Sequence, residues 1–234
     1  MASSAKVKAV KTTPTKKRSF FNFNRKKFSR LARDYHHEIV HLTGDLRRIN
    51  QIIQVSALLS NQQINLMKRK NTSHLISETG LLTFEDTQYH VENFSFRLTG
   101  YRDKLVQFIN QALKIGFDET TMGILGPISK NRTIKDAHLD TEIKKFQKDK
   151  DFKEVLSERI LMTHRRYYGK ENAYSPLMTP NLEGIADKNA FFKNWKQNVL
   201  AKANRTNRLV LKTMDMNDRV MEKINSCIAK NKPR

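Results

Sequence analysis

Disulfide cross-linking is excluded first. Among 234 residues the chain holds one cysteine, Cys227, so it has no internal disulfide framework and suits a reducing compartment. Long apolar runs are also missing. None approaches the ~20 residues that span a bilayer, which argues against an integral membrane protein. The start of the chain has no apolar core segment like that of a secretory signal, Met1 being followed by lysine-rich sequence. Acid is scarce, with 23 Asp and Glu against 44 Lys and Arg, and residues 1–33 contain none at all. The apolar fraction of 38% is below the usual share. There is no alternating pattern that reads as a strand, no internal repeat and no sign of a second domain.

What remains is a basic, helix-patterned chain of a length that can bury a core. A formal charge of +21 concentrates polyanions at the surface, so nucleic acid is the leading partner class and an anionic membrane surface the second. Residues 1–33 carry Lys6, Lys8, Lys11, Lys16, Lys17, Arg18, Arg25, Lys26, Lys27, Arg30 and Arg33, with Phe20, Phe21, Phe23 and Phe28 interleaved. This composition predicts a disordered basic arm with a surface suited to single-stranded RNA. An organellar targeting peptide has a similar make-up, although lysine outnumbers arginine here.

Apolar spacing predicts five helices. The first runs over 34–70, where Ile39, Leu42, Leu46, Ile49, Ile53, Ile64 and Met67 recur at steps of three and four. A polar loop over 71–82 ends near Gly80, and Thr83 is placed to cap a second helix over 84–115. That helix carries an unbroken stripe of Val91, Phe94, Leu98, Tyr101, Leu105, Phe108, Ala112 and Ile115. Gly116, Gly123, Gly126 and Pro127 make loop chemistry, and no G-K-[ST] follows to form a phosphate-binding loop. A third helix is expected over 133–148 with Ile134, Leu139, Ile143 and Phe146, and a fourth from 152, with Val155, Leu156 and Ile160 on its buried side, that closes at Tyr168-Gly169. After a loop with Pro176 and Pro180, the last helix covers 187–229 on Phe192, Trp195, Val199, Val210, Met214, Met221 and Ile224, with mostly Lys and Arg outward. The fold class is therefore all-α, a bundle of about five helices with a disordered basic arm over 1–33 and a helical domain over 34–230.

Two motifs carry chemistry. His37-Glu38-Ile39-Val40-His41, with Gly44 after it, fits the HExxH zinc pattern, in which two histidines share a helix face and the glutamate is a base. Where the extended pattern needs a third ligand the chain has Arg47, a cation that cannot bind zinc. Only a basic arm precedes it, so no metal and no cofactor is assigned. The other motif lies in residues 156–168, where Arg159 is followed five residues later by His164 and then by Arg165 and Arg166. Arginine is a permanent forked cation matched to phosphate oxygens, and histidine takes and gives a proton near neutrality. Five residues on an ideal helix turn the side-chain direction by about 500°, leaving the two roughly 140° apart. They converge if the arginine reaches round, if the helix ends near His164, or if a second subunit completes the site.

The run Tyr89–Asn110, Y-H-V-E-N-F-S-F-R-L-T-G-Y-R-D-K-L-V-Q-F-I-N, followed about fifty residues later by this Arg-x4-His, resembles the HEPN superfamily of small helical-bundle domains. In that superfamily an Arg is followed four to six residues later by a His, many members are metal-independent ribonucleases, and two copies commonly pair around one cleft. The resemblance makes Arg159 and His164 the catalytic pair and nominates Glu92 or Asn93 as the assisting polar residue. The residue after the family's arginine is usually polar; here it is Ile160.

The expectation is thus a metal-independent endoribonuclease acting through 2′-hydroxyl attack, a toxin or defence effector in the cytoplasm. Its partners would be RNA, a second copy of itself in a homodimer with a shared cleft, and an antitoxin or regulatory protein. Arg165, Arg166, Tyr167 and Lys170 extend the motif as a basic and aromatic strip for flanking phosphates and a stacked base, while Tyr168 packs. The alternative is a non-catalytic nucleic-acid-binding bundle in which charge alone acts, and a third reading is a zinc hydrolase through His37 and His41.

Overall fold

The computed structural model describes residues 24–70, 79–118, 128, 130–168 and 188–230. Among the described residues a short 3-10 turn at Arg25–Lys27 leads into six α-helices: α1 Arg30–Lys70, α2 Thr79–Ala112, α3 Arg132–Asp136, α4 Leu139–Lys148, α5 Lys150–Tyr168 and α6 Lys188–Lys230. There is no strand among the described residues, and none of their helices is long and apolar enough to cross a membrane.

Most of the stripes that the sequence patterns predict form the core. Ile160, expected on the buried side of the fourth helix, is instead 49% exposed, and the side chains of Ile64, Met67, Phe192 and Trp195 lie outside the described residues. Val91, Phe94, Leu98, Tyr101, Leu105 and Phe108 of α2 are buried against Ile39, Leu46, Ile49 and Ile53 of α1 and Val210, Met214, Met221 and Ile224 of α6. Burying such side chains stabilises by about 1.5–3 kcal/mol each before chain entropy is counted, so this shared seam dominates the fold.

Ion pairs and polar contacts fix direction. Glu38 meets Lys104 at 2.7 Å and Asp45 meets Arg97, so α1 and α2 are antiparallel. The Asn217 amide donates to Thr43 Oγ1 at 3.1 Å and the Asn50 amide to Asn207 Oδ1 at 3.2 Å, so α6 also runs against α1. Arg208 and Lys212 hold Asp151, and Arg205 holds Glu158, so α5 runs against α6. It follows that α5 lies antiparallel to α2, and the four long helices make an up-down-up-down bundle.

Four expectations are corrected. First, α1 begins at Arg30 and not at 34. Ser29 Oγ accepts from the Ala32 amide at 3.1 Å as a helix cap. Phe28, stacked 6.3 Å from Phe108, and Ala32 are both buried, so residues 28–33 belong to the domain and not to a disordered arm. Residues 1–23 lie outside the described residues. Second, Thr83 lies inside α2, which starts at Thr79, so it caps nothing; the rest of the expected loop, 71–78, is outside the described residues. Third, the expected helix over 133–148 is two helices. His138 sits in the left-handed region at φ 54°, which ends the α3 turn and starts α4 in a new direction. Lys223 holds that corner by donating to the His138 carbonyl at 2.8 Å. Asn131 caps α3 by accepting from the Thr133 amide at 2.9 Å. Fourth, the cations along α6 do not simply face water. Arg205, Arg208, Lys212, Arg219 and Lys223 pair with carboxylates of α4, α5 and the residue between them.

Candidate functional site at the junction of α2, α5 and α6

Arg159 lies on the side of α5 that faces α2. Its guanidinium stands over the Phe96 ring, 5.2 Å from the centroid, a cation–π contact worth about 0.5–1 kcal/mol at an exposed site. Phe96 is nevertheless 46% exposed, so the ring edge is open to a ligand. Glu92 lies one helical turn before Phe96 on α2, and both Glu92 and Asn93 are half-buried there. Asn93 Oδ1 accepts from Arg97 Nε at 3.5 Å, a long and weak contact.

Because α5 runs against α2, moving from Arg159 toward His164 means moving from Phe96 toward Glu92. Position 164 is about 7.5 Å further along the α5 axis than Arg159, and Glu92 is about 6 Å from the level of Phe96. The backbone therefore sets position 164 at about the axial level of Glu92, but about 140° round α5 from Arg159 and so from the side that faces α2. The helix runs on to Tyr168, as the sequence predicts, so α5 does not end near His164 and that route to convergence with Arg159 is closed. His164, Arg165, Arg166 and Tyr167 lie in α5, but their side chains are outside the described residues, and so is Lys170.

The charged side of the junction comes from α6. Arg205, whose side chain is only 9% exposed, donates to Glu154 Oε2 at 3.2 Å and to Glu158 Oε2 at 2.5 Å. Burial opposes its charge, but the Glu158 and Glu154 carboxylates outweigh that and hold its pKa above the ordinary arginine value. Lys202, one turn earlier, has its ammonium pKa lowered by burial, with Arg205 acting in the same direction and the Glu158 and Glu92 carboxylates opposing both. Glu158 is the neighbour of Arg159, so one buried charge cluster ties the motif's helix to α6 and reaches Glu92 on α2.

Sequence reasoning found Arg159 and Glu92 but missed Phe96, Glu158, Lys202 and Arg205. Signals for them existed: Glu92 and Phe96 share a face at i, i+4, as Lys202 and Arg205 do at i, i+3. What was illegible was that α6 packs on α5 through these charges.

The HExxH residues are elsewhere, on α1. His37 and His41 do share a face, with Nε2 atoms 3.2 Å apart and both rings exposed. Glu38 is engaged by Lys104 at 2.7 Å. No group of three His, Cys, Asp or Glu is placed to hold a metal ion among the described residues.

No curated protein and no solved structure matches the chain. A family model does: HEPN_Cthe2314-like HEPN, over residues 16–231. That span takes in every helix of the bundle and the Arg159 junction, and the chain belongs to the HEPN superfamily.

Proposed function

We propose that this protein is a metal-independent endoribonuclease, with Arg159 and His164 as its catalytic pair and Glu92 as the assisting polar residue. The observation that supports the reading is the junction itself: the Arg159 guanidinium held 5.2 Å from the centroid of the half-exposed Phe96 ring, one helical turn from Glu92 on α2. RNA supplies its own nucleophile. A base takes the proton from a 2′-hydroxyl, the 2′-oxygen bonds to phosphorus, and the 5′-oxygen leaves with a proton from an acid, giving a 2′,3′-cyclic phosphate and a 5′-hydroxyl. Arg159 holds the phosphate as charge develops on it. His164 exchanges the protons, a role worth roughly 10²–10⁴ in rate.

Position 164 is about 140° round α5 from Arg159, which favours a homodimer in which a second copy brings its His164 to the Arg159 cleft. Tyr89 at 61%, Phe96 at 46% and Ile160 at 49% exposed leave apolar surface beside Arg159 for such a pairing. Ile160 also favours a second reading. An aliphatic side chain directly after the motif arginine supplies no hydrogen bond, which suits a module that binds nucleic acid through charge alone.

Incubation of labelled single-stranded RNA in EDTA separates the two, run beside Arg159→Ala and His164→Ala. Cyclic phosphate ends that both substitutions abolish, with RNA binding retained, support the ribonuclease. RNA left intact, or cut equally by both variants, overturns it in favour of the binding module.

A further inference from the structure

On the side of α5 away from Arg159, the surface between α4, α5 and α6 sinks into an open hollow of about 610 Å³. Four cations line it, Lys148, Lys150, Lys153 and Arg205, against two carboxylates, Glu154 and Glu158. Those carboxylates are already engaged by Arg205 from below, and Lys150 is 3.9 Å from Glu154 at a highly exposed pair worth little. Lys148 and Lys153 pair with no carboxylate among the described residues. The contrast with the rest of this face is sharp, since Lys144, Arg208, Lys212, Arg219 and Lys223 are each tied to an acid. Arg205 adds one more unmet donor, for its Nε is buried with no hydrogen-bond partner. A second hollow of about 450 Å³ along α4 shares Lys148 with the first; Lys144 and Lys145 line it beside Asp140 and Asp149, and the two hollows together form a trough whose unpaired cations, among the described residues, are at the first.

Helical register links the trough to the motif. Lys150, Lys153 and Ser157 line the hollow from α5, and position 164 is seven residues beyond Ser157, about 20° short of two full turns. It therefore continues the same stripe, about 10 Å further along the axis. We propose that this trough is a phosphate-binding track for single-stranded RNA, in which Lys148, Lys150 and Lys153 hold backbone phosphates several nucleotides from the one to be cut. The proposal rests on the ribonuclease reading for its ligand. It adds a subsite that Arg159 does not reach, and it makes strand length a determinant of affinity.

The test uses the full chain and 2′-O-methyl RNA, which lacks the nucleophile and so reports binding whatever the catalytic outcome. Fluorescence anisotropy compares a 12-mer with a trinucleotide across salt, for Lys148→Gln/Lys150→Gln/Lys153→Gln and for a control of equal charge loss at exposed lysines outside the trough, Lys130→Gln/Lys135→Gln/Lys230→Gln. Three lost phosphate contacts at ~0.7 each flatten the salt slope by about 2, so between 50 and 200 mM salt the wild type loses roughly 15–20-fold more affinity for the 12-mer than the trough variant. The control retains the wild-type slope, and trinucleotide binding changes little in either. Equal losses in the two triple variants, or an equal loss for trinucleotide and 12-mer, would overturn the track. If the 12-mer result holds while wild-type protein leaves ordinary RNA uncut, the track stands and the catalytic reading falls; cleavage with equal triple variants gives the reverse.

Discussion

Replacing Arg205 with Met tests whether the charge cluster ties the motif's helix to the bundle. The side chain is 9% exposed and meets two carboxylates, one of them, on Glu158, only 20% exposed and the other, on Glu154, 44% exposed. Removing one partner of a buried pair costs about 3–5 kcal/mol when the remaining charge is stranded. Glu154 reaches water and recovers much of its hydration, so Glu158 carries most of the cost, and a loss of about 2–4 kcal/mol is expected. For a chain of this length that lowers Tm by roughly 5–15 °C. Thermal and urea unfolding followed by far-ultraviolet circular dichroism measures it. The double variant Arg205→Met/Glu158→Gln, which removes the stranded charge, should recover about 1–3 kcal/mol of the loss as a coupling energy. A single variant within about 0.5 kcal/mol of wild type, the usual range for a surface change, or strictly additive double-variant losses, would refute the idea that these charges fasten α5 to α6.

Two further outcomes follow from the same contacts. Asp151 accepts from Arg208 at 2.9 and 2.6 Å and from Lys212 at 2.9 Å, and the Arg208 hydrogen bonds above all hold its carboxyl far below the usual aspartate range. A depressed folded-state pKa gives stability that is fully present above the unfolded value of about 3.9 and is lost as pH falls through the folded value. Asp151→Asn should therefore cost about 1–3 kcal/mol near neutrality, with the gap from wild type closing below about pH 4 in acid unfolding curves; a gap constant down to the acid transition would contradict it. Tyr101, fully buried, donates to Asn217 Oδ1 at 2.7 Å, and burial pushes its phenol well above the ordinary value. Tyr101→Phe strands that buried acceptor and should cost about 1–3 kcal/mol in urea unfolding, whereas a neutral result would mean that Asn217 finds another donor.

Much of the bundle was legible because its core follows a single helical period. Every member of the α2 stripe from Val91 to Phe108 is buried, and Ala112 and Ile115 pack at its edge. Breaks that rest on a cap or one backbone angle were harder. Ser29 and Asn131 are ordinary capping residues whose positions meant little among so many polar neighbours, and His138 takes a left-handed conformation without the glycine that usually announces one. At the site, Arg159 and Glu92 were readable as residue types at a family spacing. Phe96, Lys202 and Arg205 were not, because their role depends on three helices meeting, and charge on α6 looks the same in sequence whether it faces water or a carboxylate.

The polar contacts of α6 also bear on how the chain reaches its folded state. Thr43, Asn50 and Tyr101 are buried on α1 and α2, and their partners Asn217, Thr206 and Asn207 lie between 116 and 174 residues away in sequence. The α1–α2 hairpin joins neighbours and can form early, yet without α6 those groups would stay in water and the apolar seam that meets Val210, Met214, Met221 and Ile224 would be uncovered. Half of this bundle is thus a poor resting place. The seam should therefore close only after residues 205–224 of α6 have left the ribosome, well after the α1–α2 hairpin.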